Sequence, residues 1–263
     1  MVYVVFASLS ESSALMAHSG MLFKPLNANI AAYKAVMQNV MIGYGYMNTI
    51  FVVVIGVSLN IVMTSIAAYF LSRRDVMLKG IIMKFITFTM FFSGGMIPFY
   101  LVVKNLGLYN SLWSLILPSA INTYNLIIMR TSFMSIPYSL EEAARIDGAG
   151  HISILVKVVL PLSKAIIAVM VLYYGVAHWN SWFNAMLFLD EREKFPLQLV
   201  LREILIQNDV DAMTQGVDVA DGLAVAETVK YAVIVVATLP VLCIYPFLQK
   251  YFVKGVMIGA LKG

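Results

Sequence analysis

The chain has 263 residues, of which 61% are hydrophobic and only 12% charged, with a formal net charge of +4. A soluble domain of this length carries about twice that share of charge, so the composition excludes an ordinary globular enzyme and points to a helical membrane domain. One cysteine (Cys243) and three scattered histidines (His18, His151, His178) exclude a disulfide framework and a Cys/His metal site.

Residues 1–8 are apolar but too short to cross a bilayer, which takes about 20 residues. No basic segment precedes them, as it would in a signal peptide. Residues 9–46 read as an external loop with a short amphipathic helix around 31–40. Apolar spans follow at about 47–71, 81–103, 112–129, 165–188 and 229–248. Gly94, Gly95 and Pro98 predict a kink in the second of these, and Pro118 lies inside the third. A 35-residue insert, 130–164, separates the third and fourth spans. The stretch 189–228 is polar and holds nine of the fourteen acidic residues, with an amphipathic helix expected near 195–205. A basic tail, 249–263, closes the chain.

The basic balance is better read as topology than as affinity for nucleic acid. Placing 72–84, the insert and the tail on one side gathers eleven Lys and Arg and a net charge of +7 there, against −3 on the other side. The first side is therefore expected to be cytoplasmic. The spans carry no cluster of carboxylates or histidines on which an ion-coupled pump would depend. There is also no Gly-x-x-x-x-Gly-Lys-[Ser/Thr] phosphate loop, so energy is expected to come from a partner.

The cytoplasmic insert contains a short helix, expected at about 139–150. Ser139 followed by Glu142 has capping-box spacing. Glu141 and Glu142 suit the positive end of the helix dipole. Gly148 and Gly150 offer left-handed positions for its exit, and Pro161 marks the start of the next long element. Ala143 and Ala144 leave room for another backbone to approach. The spacing Glu142-Ala143-Ala144, Gly148, Val158, Leu160-Pro161 resembles the cytoplasmic coupling motif of binding-protein-dependent ABC importer permeases, with Val158 in place of Ile as the single departure. Asp147-Gly148-Ala149 is similar to the carbohydrate branch of that family.

The resemblance covers essentially the whole chain, and it implies an all-α type I ABC importer transmembrane domain. That plan has six spanning helices, with residues 1–8 standing at the end of a truncated first one. The implied location is the bacterial inner (cytoplasmic) membrane, crossed several times. The implied partners are a second permease in a heterodimer, two ATP-binding subunits that carry ATP and Mg, and an extracytoplasmic solute-binding protein. No cofactor is implied in this chain, and the chain itself would not be an enzyme. Glu141, Glu142, Ala143, Ala144, Asp147, Gly148, Leu160 and Pro161 are implied to couple to the ATPase. The ending 251–263 is similar to the tail of the maltose-type second permease, which implies ATPase contacts from Lys254, Gly255 and Lys262. Pro196-Leu197-Gln198 and the phrase 245–255 are similar to the subgroup that handles oligosaccharides and polysaccharide fragments.

A carbohydrate is recognised by aromatic faces and amide side chains. Tyr174, Trp179, Asn180, Trp182 and Asn184 form one candidate group for the pathway, and Asn122, Tyr124 and Asn125 form a second. The first set is equally suited to anchoring at the membrane interface, and the second to packing between helices. His178 alone reads as a packing residue. A non-sugar cargo of the same machine remains open, as does a secondary transporter. A charged cargo would ask for an opposite charge within a span, and a secondary transporter for ionisable groups at the midplane.

Overall fold

The computed structural model describes residues 2–206, 228–243 and 246, and the described residues form helices without strands. They divide into two compact units. One comprises residues 2–50, 110–112, 179–206 and 228–243, and the other 51–109 and 113–178. The tail residues Lys254, Gly255 and Lys262 lie outside the described residues.

A single helix, Val40–Ser72, begins in the first unit and ends in the second. It runs 33 residues without a charged side chain and, among the described residues, is the one helix long and apolar enough to span on its own. Its last carbonyls are met by cations. Arg130 Nε donates to Leu71 C=O at 2.9 Å, and Lys79 Nζ donates to Ser72 and Arg73 C=O at 3.3 and 2.8 Å. Basic groups there satisfy unpaired acceptors and suit the negative end of the helix dipole.

The predicted kink in 81–103 is a full break. Helices Lys79–Phe91 and Met96–Asn105 meet at 112°, with Gly95 at φ +87° between them. The stretch 112–129 is not the continuous helix expected of it. It is a turn of helix (Trp113–Ile116), a 3-10 turn (Leu117–Ser119) holding Pro118, a gap, and then helix Thr123–Met134. Asn122 restarts the helix as its N-cap, its side-chain oxygen accepting from Asn125 N–H at 3.1 Å.

The stretch 165–188 also differs from one span. Helix Lys164–Trp179 ends where Asn180 and Ser181 break it, and Phe183–Phe188 is a separate short helix in the other unit. Pro161 does not begin the long element. It sits in the last turn of helix His151–Leu162, which meets Lys164–Trp179 at 87°. Lacking an N–H, Pro161 cannot bond the carbonyl four residues back, and the turn before it widens to a π stretch over Leu155–Val159, with Leu160 N–H on Leu155 C=O. In the first unit, the apolar helix Thr228–Cys243 is 16 residues long. Counting each bent pair as one span brings the total to as many as three among the described residues.

Candidate functional site

The insert 130–164 folds into helix Tyr138–Ile146, followed by a turn and by helix His151–Leu162, rather than one helix over 139–150. Pro137, at φ −57° and ψ 129°, is the N-cap and gives no side-chain cap. The capping box is therefore absent. Ser139 is already the second helical residue rather than the N-cap that a capping box requires, and Glu142 is exposed. The exit matches a Schellman motif in full. Gly148, at φ +81°, donates to Arg145 C=O at 3.0 Å, and Ala149 donates to Ala144 C=O at 2.9 Å. Gly150, at φ −74°, is not left-handed; it is the N-cap of the following helix.

Behind the helix lies a buried charge cluster. Glu141 is 3% exposed and forms an ion pair with Arg73, which stands just past the end of helix Val40–Ser72. Arg145 Nη2 approaches Glu141 at 3.5 Å and Asp75 at 3.3 Å. Tyr69 donates its hydroxyl to Glu141 at 3.3 Å and lies 3.3 Å from His151 Nδ1. Arg73 also donates to Ser72 Oγ at 3.0 and 2.9 Å, and its guanidinium lies 4.6 Å from the Tyr69 ring centroid. Arg74 stands 5.1 Å over the Tyr138 ring. Burial pushes Arg73 below its ordinary value, with nearby Tyr69 opposing the shift. Asp75 is held below its ordinary value chiefly by a hydrogen bond with its own backbone and also by Arg145.

The cluster fixes which side of the short helix faces away. Ala144 and Ala149 pack on the core that includes Met129, Phe133 and Ile154. Leu140, Glu142, Ala143 and Asp147 are exposed, as are Ile146 (86%) and Ile152 (80%). The two glutamates thus have opposite placements, and Ala144 faces inward while Ala143 faces out. Leu160 is half-buried and Pro161 exposed. Sequence reading missed Arg73, Tyr69 and His151. The one available signal was that Arg73 follows directly on an uncharged span.

Within the second unit a polar network crosses the apolar interior. Asn60 donates its amide to the carbonyls of Ser119 and Ala120 at 2.6 and 3.0 Å, and its oxygen faces His178 Nε2 at 2.7 Å. With the Asn60 oxygen accepting, His178 carries its proton on Nε2. Tyr174 is buried; its hydroxyl lies 2.7 Å from Thr64 Oγ1 and accepts from Asn122 N–H at 3.1 Å. These bonds satisfy the backbone exposed where the helix breaks at 120–122, as a chain within lipid requires. Of the second candidate group, Asn125 is buried whereas Asn122 and Tyr124 are exposed. His178 is the packing residue expected.

The first candidate group is divided. Tyr174 lies in the second unit, and Trp179, Asn180, Trp182 and Asn184 lie in the first. Trp179 meets Tyr46 edge-on at 6.4 Å, Asn180 is exposed and Asn184 half-buried. Trp182 is 37% exposed and lies under the Arg202 guanidinium at 4.7 Å.

Residues 60–258 match the family described as "Binding-protein-dependent transport system inner membrane component". The polygalacturonan/rhamnogalacturonan transport system permease protein YtcP of Bacillus subtilis is 43% identical, over 100% of this chain and 91% of its own length. Protein LplC of the same organism is 42% identical, over 100% of this chain and 88% of its own. In structure the chain is similar to part of a bacterial ABC transporter involved in the import of the acidic polysaccharide alginate. The TM-score is 0.87 at 35% identity, covering 95% of this chain and 89% of that one.

Proposed function

The chain belongs to the family of binding-protein-dependent transport system inner membrane components, and from that premise we propose how it works. It has the all-helical transmembrane fold of a type I ABC importer and is a sugar-transport permease. It forms half of the translocation pathway for an oligosaccharide or polysaccharide fragment, a reading supported by the names of YtcP and the alginate importer. A second permease completes the pathway as a heterodimer, and an extracytoplasmic binding protein delivers the sugar. Two ATP-binding subunits bind ATP and Mg and perform the hydrolysis, so this chain is not catalytic. It resides in the inner membrane as a multi-pass protein.

One observation carries the mechanical part: helix Tyr138–Ile146 is locked from behind and open in front. Glu141 ties it to the end of the long helix through Arg73, while Leu140, Glu142, Ala143 and Ile146 face outward. In this reading the outward side seats in a groove of an ATPase subunit, with Glu142 available to a basic group there. When ATP closes the ATPase pair, the grooves move. The rigid helix passes that motion through the Glu141–Arg73 joint into helix Val40–Ser72 and its polar network. Gly148→Pro or Ala143→Trp should leave the protein in the membrane but uncouple ATP hydrolysis from uptake. Gly148→Pro removes the Gly148 N–H to Arg145 bond and conflicts with φ +81°, and Ala143→Trp lifts the helix from its seat. Unchanged uptake in both variants would contradict the docking role.

A further inference from the structure

We propose that Arg202, Trp182 and Gln198 form a recognition site for a uronate residue of an acidic sugar chain. The inference rests on the sugar-permease reading above and adds to it a cargo class and the side chains that select it. All three belong to the first unit, in and beside the stretch 189–228 that the charge distribution places externally.

Arg202 is a cation without a carboxylate partner among the described residues. It sits on helix Leu197–Ile206 next to Glu203, yet Glu203 pairs with Arg192 at 3.1 Å. The neighbouring Lys194 pairs with Glu191 at 2.9 Å. The one hydrogen-bond contact of Arg202 among the described residues is Nη1 to the sulfur of Met186 at 3.4 Å, a weak acceptor. The guanidinium lies instead over the indole of Trp182, a contact that fixes its plane without using its hydrogen-bond donors. An oriented guanidinium whose donors, among the described residues, meet only one weak sulfur acceptor matches a carboxylate in two-pronged fashion.

The second part is the space beside it. Trp182, Gln198 and Arg202 line a cavity of about 380 Å³, together with Thr238 and the apolar Leu201 and Leu205. That volume is in the range of small-ligand sites. The Gln198 amide is half-buried and makes no hydrogen bond among the described residues. Thr238 donates its hydroxyl to carbonyls of its own helix, at 2.9 Å to Ile234 and 3.2 Å to Val235, and so offers the cavity an acceptor. The set is a guanidinium for a carboxylate, an amide and a hydroxyl oxygen for sugar hydroxyls, and an indole for the C–H face of a ring. A neutral sugar leaves the guanidinium without an anion, and a simple inorganic anion leaves the indole and amide unused.

The test uses the complete transporter with its binding protein, reconstituted in vesicles. Two probes are compared, trigalacturonate and the same trisaccharide with its carboxylates methyl-esterified. In Arg202→Gln, uptake of the acid should fall about tenfold to a hundredfold, the effect of losing a hydrogen bond to a charged group. Uptake of the ester should change less than twofold. Because the binding protein is unaltered, its own preference cancels in the ratio. Arg202→Lys keeps the charge without the fork and should give an intermediate ratio; it also decides the question if Arg202→Gln fails to assemble. An unchanged acid-to-ester ratio in the variants means a structural or interfacial Arg–Trp pair only and overturns the site. Uptake of neither probe by the unaltered transporter overturns the uronate site; the sugar reading stands if a neutral oligosaccharide is taken up and falls if none is, so the two failures are distinguishable.

Discussion

Replacing Glu141 by Ala should release the short helix Tyr138–Ile146 from the rest of the chain. Glu141 and Arg73 have side chains only 4% and 9% exposed. Removing the carboxylate leaves the guanidinium buried with Ser72 Oγ as its remaining hydrogen-bond partner, while Arg145 and Tyr69 each lose a contact. Breaking a buried pair from one side costs about 3–5 kcal/mol, most of it the penalty on the charge left behind. Helix Tyr138–Ile146 has nine residues, too few to persist in water unaided, so the loss falls on its docking. Amide hydrogen exchange over 138–149 in the solubilised complex should then speed up by about two to three orders of magnitude or more, while the exchange of Val40–Ser72 changes little. Uptake should fall with it, and ATP hydrolysis should lose its dependence on the loaded binding protein. Pairing Glu141→Leu with Arg73→Met removes both charges and should recover a large part of the protection. Exchange in Glu141→Ala that stays within about threefold of the unaltered protein would refute the reasoning, because the pair would then not hold the helix.

Three further outcomes follow from the geometry. Gly148→Ala should cost about 1–2 kcal/mol in thermal unfolding, since a side chain at φ +81° is strained, whereas Gly150→Ala at φ −74° should be nearly neutral. Gly56→Ala would set a Cβ 2.6 Å from His178 Nε2, displacing the ring and its bond to Asn60; a loss of about 1–3 kcal/mol is expected, and Gly56→Ala with His178→Ala should cost less than the sum of the two. Asp75 has its folded value held below the ordinary one, so its stabilising share is present above the unfolded value of 3.8 and is lost as pH falls through the lower folded value. The stability difference between the unaltered protein and Asp75→Asn should therefore be flat near neutrality and shrink only below about pH 4, as followed by denaturation across pH.

Local features of the site were legible in the sequence because their causes are local. Gly148 reads as a left-handed exit from glycine's freedom alone, and the break at Gly94-Gly95 reads from two glycines before a proline. The capping box failed on a local competition: Pro137 fixes the start of the helix two residues before Ser139 and takes the N-cap place. The opposite fates of Glu141 and Glu142 were not legible. Adjacent glutamates are chemically alike, and the residue that separates them, Arg73, is 68 positions away. The same holds for Asn60 and His178, which in sequence are single polar residues in apolar runs. Only the fold shows that they meet at 2.7 Å and satisfy the backbone at 119–120. Pro118 and Asn122 did carry a readable signal for the broken stretch 112–129, a proline turn followed by an N-cap residue, which the apolar average across that window masks.

Whether the chain works as half of an ATP-driven importer is tested most directly by tagging it in its host membrane, solubilising gently and identifying what comes with it. Recovery of an ATP-binding subunit, a second permease and a sugar-binding protein, with the ATP-binding subunit lost in Ala143→Trp, is the expected result. Recovery of the chain by itself, with uptake driven by a proton or sodium gradient in vesicles, would contradict it.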